Sequence, residues 1–242
     1  MGKVFIMKIF FLLIILTLPL SKINAQKIKE SNDIKNSKDF LNISFIKVGG
    51  NYINMNFEEL NDRLKQYELP SSFKNGVILP SVGFSLTSDE ITNRAFASAH
   101  IGYASKERKT ENFQNESKLL NIGFDINYTF VKYDPHQFYA KLGFGWSNLD
   151  MEFTDLSQNN SEFDANLNEF YNQNLSSSNL FFISLGSGYM FLFNEFYIDA
   201  QAGYRISLNQ ASWENRLSNL DNGPSLNASG FYIGIYIGLQ DL

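Results

Sequence analysis

Ser229-Gly230-Phe231-Tyr232-Ile233-Gly234-Ile235-Tyr236-Ile237-Gly238-Leu239 is the stretch on which the reading of this chain turns. In an extended strand successive side chains point to opposite faces. Phe231, Ile233, Ile235, Ile237 and Leu239 then form one continuous apolar wall. Gly230, Tyr232, Gly234, Tyr236 and Gly238 form the other face, and a helix would scatter both sets. No later segment covers the wall, so lipid or a packed core must face it.

The same alternation recurs upstream. Ile78, Val82, Phe84 and Leu86 oppose Leu79, Ser81, Gly83 and Ser85, and Ala95–Tyr103 alternates more weakly. Leu120–Phe130 sets Ile, Phe and Tyr against Asn121, Gly123, Asp125, Asn127 and Thr129. Phe138–Ser147, Phe181–Phe191 and Phe196–Leu208 repeat the scheme, and Ile43–Val48 gives a first strand before Gly49-Gly50-Asn51 interrupts it. Eight strands result. Between the first two, Asn56–Tyr67 changes to helical period: Phe57, Leu60, Leu64 and Tyr67 share a face, Asn56 and Glu59 fit a capping box, and Pro70 ends the helix.

The connections carry independent information. Ser88–Ile91, Lys132–Pro135 and the turn at Asn194 are short, whereas the helix region, Lys106–Glu116, Met151–Ser178 and Gln210–Ala228 are long. Short and long alternate, as in barrels of the outer membrane, whose periplasmic turns are tight and whose outer loops are long. The predicted fold is therefore all-β: an eight-stranded antiparallel transmembrane barrel with one short helix in the first long loop.

Residues 1–25 read as a signal peptide, with Lys3 and Lys8 before the apolar Ile9–Leu20 and a small residue, Ala25, ahead of the cut. Met7 serves as well as Met1 for the start. Residues 26–41 are a polar, flexible leader, and 42–242 form the barrel domain. The chain has no cysteine and a net charge of −5. An oxidising compartment thus offers it no disulfide, and nucleic acid, which rewards clustered Lys and Arg, is excluded as a partner.

A soluble barrel with the same periodicity would need a charged outer coat. Here the face opposite the apolar wall is mostly Gly and Ser with single charges, which suits the narrow interior of an eight-stranded barrel. Tyr128, Phe130, Tyr133 and Phe138 crowd one short turn, and Phe191, Phe193, Phe196 and Tyr197 another, where an interfacial aromatic girdle belongs. On these features the chain resembles the small outer-membrane β-barrels of Gram-negative bacteria, of the outer membrane protein A, X and W and PorT-like kinds, over Asn42–Leu242. The resemblance implies residence in the outer membrane, contact with its lipid, and insertion by the barrel-assembly machinery. Those barrels usually end in an aromatic residue, whereas this chain ends Leu239-Gln240-Asp241-Leu242.

Asp125 and Lys141 face the lumen from neighbouring strands, and Asp199 and Arg205 share a face of the seventh, so these four are expected to form a lumen charge network. His100 shares a face with Ser98, the ingredients of a hydrolase, but in Ser-x-His order and with no acid placed beside them. Asp150, Glu152, Asp155, Glu162, Asp164 and Glu169 are acidic enough to draw Ca²⁺ weakly, though a solvated loop accounts for them. No cofactor is expected. Phe153, Phe163, Tyr171 and Trp213 lie in the long loops, where they would contact a partner protein or glycan or pack on one another. The functional expectation is a non-enzymatic anchor whose outer loops bind surface ligands or partner proteins. The alternatives are a narrow conduit for small molecules and a lipid-modifying enzyme.

Overall fold

A computed structural model of the chain describes residues 42–71, 73–87, 94–156, 172–215, 219–220 and 223–240. The signal-peptide and leader assignments, the Ser88–Ile91 turn, and the loop residues Phe163 and Tyr171 lie outside the described residues.

Eight strands close a barrel: β1 (Asn42–Ile53), β2 (Val77–Thr87), β3 (Ala95–Lys109), β4 (Phe113–Tyr133), β5 (His136–Asp155), β7 (Leu180–Phe193), β8 (Phe196–Ser207) and β11 (Gly230–Gln240). Each pairs antiparallel with its neighbour in the chain, β5 pairs with β7, and β11 returns to β1. Closure leaves no open edge, which a bilayer requires of a sheet. Three short strands, β6 (Asn172–Ser177), β9 (Trp213–Glu214) and β10 (Asn219–Leu220), extend the sheet sideways from the far part of β5. The helix, α1, is Glu58–Gln66.

The apolar wall of β11 faces outward. Phe231, Ile233, Ile235, Ile237 and Leu239 are exposed on the barrel exterior, while Tyr232 and Tyr236 are buried in the lumen. Eight residue steps at ~3.3 Å, tilted by about 40°, give ~20 Å along the membrane normal, near the height of an outer-membrane apolar band. Of the aromatics around the short turns, Tyr128, Phe130, Tyr133, Phe138, Phe193 and Phe196 face outward, but Tyr197 turns into the lumen. The turns themselves are Asp134-Pro135, with a cis peptide bond, and Asn194-Glu195.

Strand β1 differs from its expected form in two respects. Gly49-Gly50-Asn51 does not interrupt it; the strand runs through to Ile53. A Cβ on Gly49 would sit 2.0 Å from the carbonyl oxygen of Ile235, so glycine lets β1 and β11 approach closely enough to seal the barrel. A register shift between Ile43 and Phe45 also turns Phe45 into the lumen, where its ring meets Tyr197 at 5.0 Å. The outward residues are consequently Ile46 and Val48.

Lys106–Glu116 is not a loop. β3 and β4 continue as paired strands to a tight connection, in which Thr110 and Phe113 exchange hydrogen bonds. β4 and β5 reach 21 and 20 residues, about twice what a tilted strand needs to cross a bilayer. The surplus lies at the loop end of the barrel. Charged residues at both faces of this stretch removed the apolar alternation by which the strands were otherwise recognised.

The N-cap of α1 is Phe57, without a side-chain capping bond, rather than the expected Asn56; Asn56, one residue earlier, accepts a hydrogen bond from the Glu58 amide on its Oδ1 at 2.9 Å. Glu59 does not complete a capping box; its carboxylate instead accepts from the Ser225 hydroxyl and lies 3.7 Å from Arg63. Leu60 and Leu64 bury the inner face of the helix.

Candidate functional site

The interior is the part of the molecule with chemistry in it, and it is built in levels. At the turn end Tyr139, Met190 and Tyr197 pack with Phe45, Phe96 and Leu192 across the lumen. In the middle lies a polar chain. Asp199 accepts hydrogen bonds from Tyr139 at 2.6 Å, Lys47 at 3.0 Å and the Gln201 amide at 2.6 Å. Gln201 in turn accepts from Lys141 at 2.8 Å, and Lys141 pairs with Asp125 at 3.0 Å. Asp125 also takes Ser98 at 3.4 Å and stands 3.3 Å from His100 Nδ1. Every one of these groups is buried. A buried charge is tolerable only when paired and hydrogen-bonded, and this chain of contacts supplies both conditions.

Of the four charges expected to form a network, Asp125, Lys141 and Asp199 stand in this one chain. Arg205 stands apart. Its Nη1 donates to Asn121 Oδ1 at 2.8 Å, and its guanidinium lies 4.3 Å over Phe182 and 5.4 Å over Tyr232. Asp199 goes to Lys47 rather than to Arg205. Six residues along one strand separate Asp199 from Arg205, which places them at different heights in the barrel, whereas Lys47 lies within 3.0 Å of Asp199. Sequence reasoning missed Lys47. It sits in a strand whose phase was read without the bulge, so its inward direction was not evident.

Above Asn121 and Ser147 the lining changes character. Ile53, Leu79, Leu119, Leu149, Met151, Phe153, Leu180 and Phe182 point inward and form one apolar cluster with Phe57, Leu60 and Leu64 from the helical segment. Trp213 and Leu226 from the connection after β8 complete it. Phe153 and Trp213, considered as loop contacts, are therefore buried core residues, because the segments that carry them are strands β5 and β9. Trp213 Nε1 donates to the Pro224 carbonyl at 2.7 Å, which satisfies its polar atom inside the cluster.

The outward face changes at the same height. On β4 the exterior runs Phe130, Tyr128, Ile126, Phe124, Ile122 and Leu120, then Lys118 and Glu116. On β5 it runs Phe138 to Trp146 and then Asn148, Asp150 and Glu152. Lys118 pairs with Glu116 at 3.2 Å and reaches Glu152 at 4.0 Å, and Lys109 pairs with Glu107 at 3.1 Å. β5 thus has its apolar face outside below this height and inside above it, while on β4 the outside turns from apolar to charged and the inside runs from Leu119 to the buried polar pair Ser117 and Asn115.

Ser98, His100 and Asp125 meet, but not as a catalytic relay. Asp125 contacts both other residues, His100 Nε2 has no partner, and no hydrogen bond joins His100 to Ser98. The Ser98 hydroxyl thus points to the Asp125 carboxylate and not to the imidazole that the relay order requires. His136 lies at the β4–β5 turn, its Nδ1 2.7 Å from the Tyr189 hydroxyl. Among the described residues, no three acidic, His or Cys side chains are grouped to hold a metal; Asp150, Glu152 and Asp155 lie in β5, and Glu162, Asp164 and Glu169 lie outside those residues.

No protein-family model matches the chain, and among curated proteins none matches it by sequence. The structure is similar to that of a major outer membrane protein from Thermus thermophilus, with a TM-score of 0.53 and 11% identity, covering 82% of this chain and 99% of that one. It is less similar to Neisserial surface protein A (TM-score 0.46, 10% identity, 83% and 99% of the two chains). Ail, the attachment invasion locus protein of Yersinia pestis, gives a TM-score of 0.43 at 12% identity, over 84% and 99%. The chain has the eight-stranded antiparallel barrel fold of an outer-membrane protein.

Proposed function

We propose that this protein is a non-conducting anchor of the outer membrane, delivered by a cleaved signal peptide and inserted by the barrel-assembly machinery. Its loop end would carry a compact water-facing module that binds a surface protein or glycan. The observation that carries this reading is the reversal of polarity along β5, with charge replacing apolar groups on the outer face of β4 at the same height. One side of the reversal suits hydrocarbon outside and polar groups within. The other suits water outside and a packed apolar core within. A strand surplus of this length is not needed to cross a bilayer, and it creates an outward surface rich in charge. The apolar packing at both ends of the lumen supports a closed barrel over a conduit.

Two measurements on one preparation test this. In planar bilayers the protein should give no steady open level. In intact outer membranes, a photo-reactive residue at Glu116 or Asp62 should capture a protein or glycan, whereas one at Leu142 should capture lipid. A stable conductance, or lipid alone captured from all three positions, would overturn the proposal.

A further inference from the structure

The lumen charges do not balance. Among the described residues, the buried fixed cations are Lys47, Lys141 and Arg205, and the buried carboxylates are Asp125 and Asp199. Both carboxylates are engaged by lysine at 3.0 Å. Arg205, 2% exposed, touches the neutral carbonyl of Asn121 and two aromatic faces, and Asp125, already held by Lys141, acts on it without a direct ion pair. An aromatic face attracts a cation without cancelling its charge.

The unused hydrogen-bonding capacity lies around the same residue. Arg205 Nε, Asn121 Nδ2 and the Tyr232 hydroxyl are buried without partners. The orientation of Asn121 is fixed, because its Oδ1 accepts from both Ser147 at 3.0 Å and Arg205. Its free group is therefore the donating NH₂. Two of the three open groups can only donate, and the third can donate. Water would satisfy these donors but leave a guanidinium uncompensated in a low-dielectric interior, which is costly. An anion answers both needs.

Space sets its size. A Cβ on Gly186 or Gly203 would lie 2.5 or 2.7 Å from the Tyr232 hydroxyl, and one on Gly145 would lie 2.8 Å from the Phe182 ring. The Tyr232 hydroxyl and the Phe182 ring thus lie directly over strand backbone, so an anion held beside them is a small one. We propose that the barrel binds a single halide-sized anion, chloride under ordinary conditions, at Arg205 Nε, Asn121 Nδ2 and the Tyr232 hydroxyl. The site forms as the barrel closes, since Arg205 on β8, Asn121 on β4 and Tyr232 on β11 are brought together only then.

The test is thermal unfolding of full-length mature protein refolded in detergent in chloride, bromide or gluconate at matched ionic strength, which holds general screening constant. Chloride and bromide should raise the midpoint saturably over gluconate, and a bromide crystal should show an anomalous peak in contact with Arg205 Nε. Arg205→Gln should abolish the difference between salts. Asn121 Oδ1 already touches Arg205 and is buried. Asn121→Asp, of the same shape, should therefore supply the missing carboxylate and remove one donor, raising the midpoint in gluconate and removing the response to chloride, so the idea stays testable even where Arg205→Gln fails to fold. Identical wild-type midpoints in the three salts, or water alone at the bromide position, would overturn it.

Discussion

β4 and β5 each pass through two environments, and the contrast between their two halves explains most of the molecule. Toward the turns, Ile126 and Leu142 stand outside while Asp125 and Lys141 stand inside. Toward the loops, Leu149 and Met151 stand inside while Lys118 and Glu152 stand outside. The backbone ladder runs from Phe113↔Asp155 to Tyr133↔His136 with one register shift, between Thr129 and Val131 near the turn and far from the change of lining. Only the side chains change, so the solvent each half is built for is written in side chains alone. The lower half needs polar contents because eight strands leave a lumen too narrow to leave empty and too near the hydrocarbon to leave charges unpaired. The upper half needs an apolar core because it must stand in water.

The sharpest way to break the lower half is to take one member from its charge chain. Lys141→Met should leave Asp125 with only His100 and Ser98 and deprive Gln201 of its donor. Removing one partner of a buried pair costs about 3–5 kcal/mol. The double change Asp125→Asn with Lys141→Met should cost clearly less, because no carboxylate is then stranded. Urea unfolding of the barrel in lipid vesicles measures both, and a double variant as unstable as Lys141→Met alone would contradict the pairing.

The second test moves charge along one face. Ile126 is 65% exposed on the barrel exterior. A lysine there, facing hydrocarbon near mid-membrane, should cost about 2–4 kcal/mol. Asp150→Lys, on the same outward face of neighbouring β5 but beyond the reversal, should cost clearly less, under about 1 kcal/mol, because water screens the new lysine from Lys118 opposite it. Comparable losses from the two changes would place the membrane boundary elsewhere.

How far the sequence showed this depends on the half. Below the reversal the alternation is legible because lipid tolerates only apolar groups: Ile122 to Phe130 repeat every second residue against Asn121 to Thr129. Above it the strands vanished into apparent loops, since Ser105 to Gln114 mix charges on both faces. A signal was nevertheless present. On β5 the large apolar residues fall at even positions through Trp146 and at odd positions from Leu149 to Phe153. A change of phase within an unbroken strand is what a change of solvent produces. The Asp125–Lys141 contact follows from cross-strand neighbourhood, being one diagonal step apart in the ladder. The Lys47–Asp199 contact does not, because it reaches over β11, which lies between β1 and β8, and only closure brings β1 to that side.

The smallest expected effect lies on the water side, where charge should matter least. Glu59 is exposed on α1, and its hydrogen bond from Ser225, with a lesser contribution from Arg63, lowers its carboxyl below the ordinary range. A carboxyl lowered by folding stabilises the fold above its unfolded value, and that contribution is lost as pH falls through the folded value. Acidification should therefore loosen the tie between α1 and the segment carrying Ser225, and protease cleavage within α1 should rise slightly. Glu59→Gln should flatten this pH dependence while leaving the unfolding midpoint of the barrel unchanged. Solvent screens an exposed contact of this kind, unlike the enclosed Lys141–Asp125 pair. A Glu59→Gln loss rivalling that of Lys141→Met would mean that the helix holds the barrel together, and the two halves could no longer be treated as separate solutions to separate solvents.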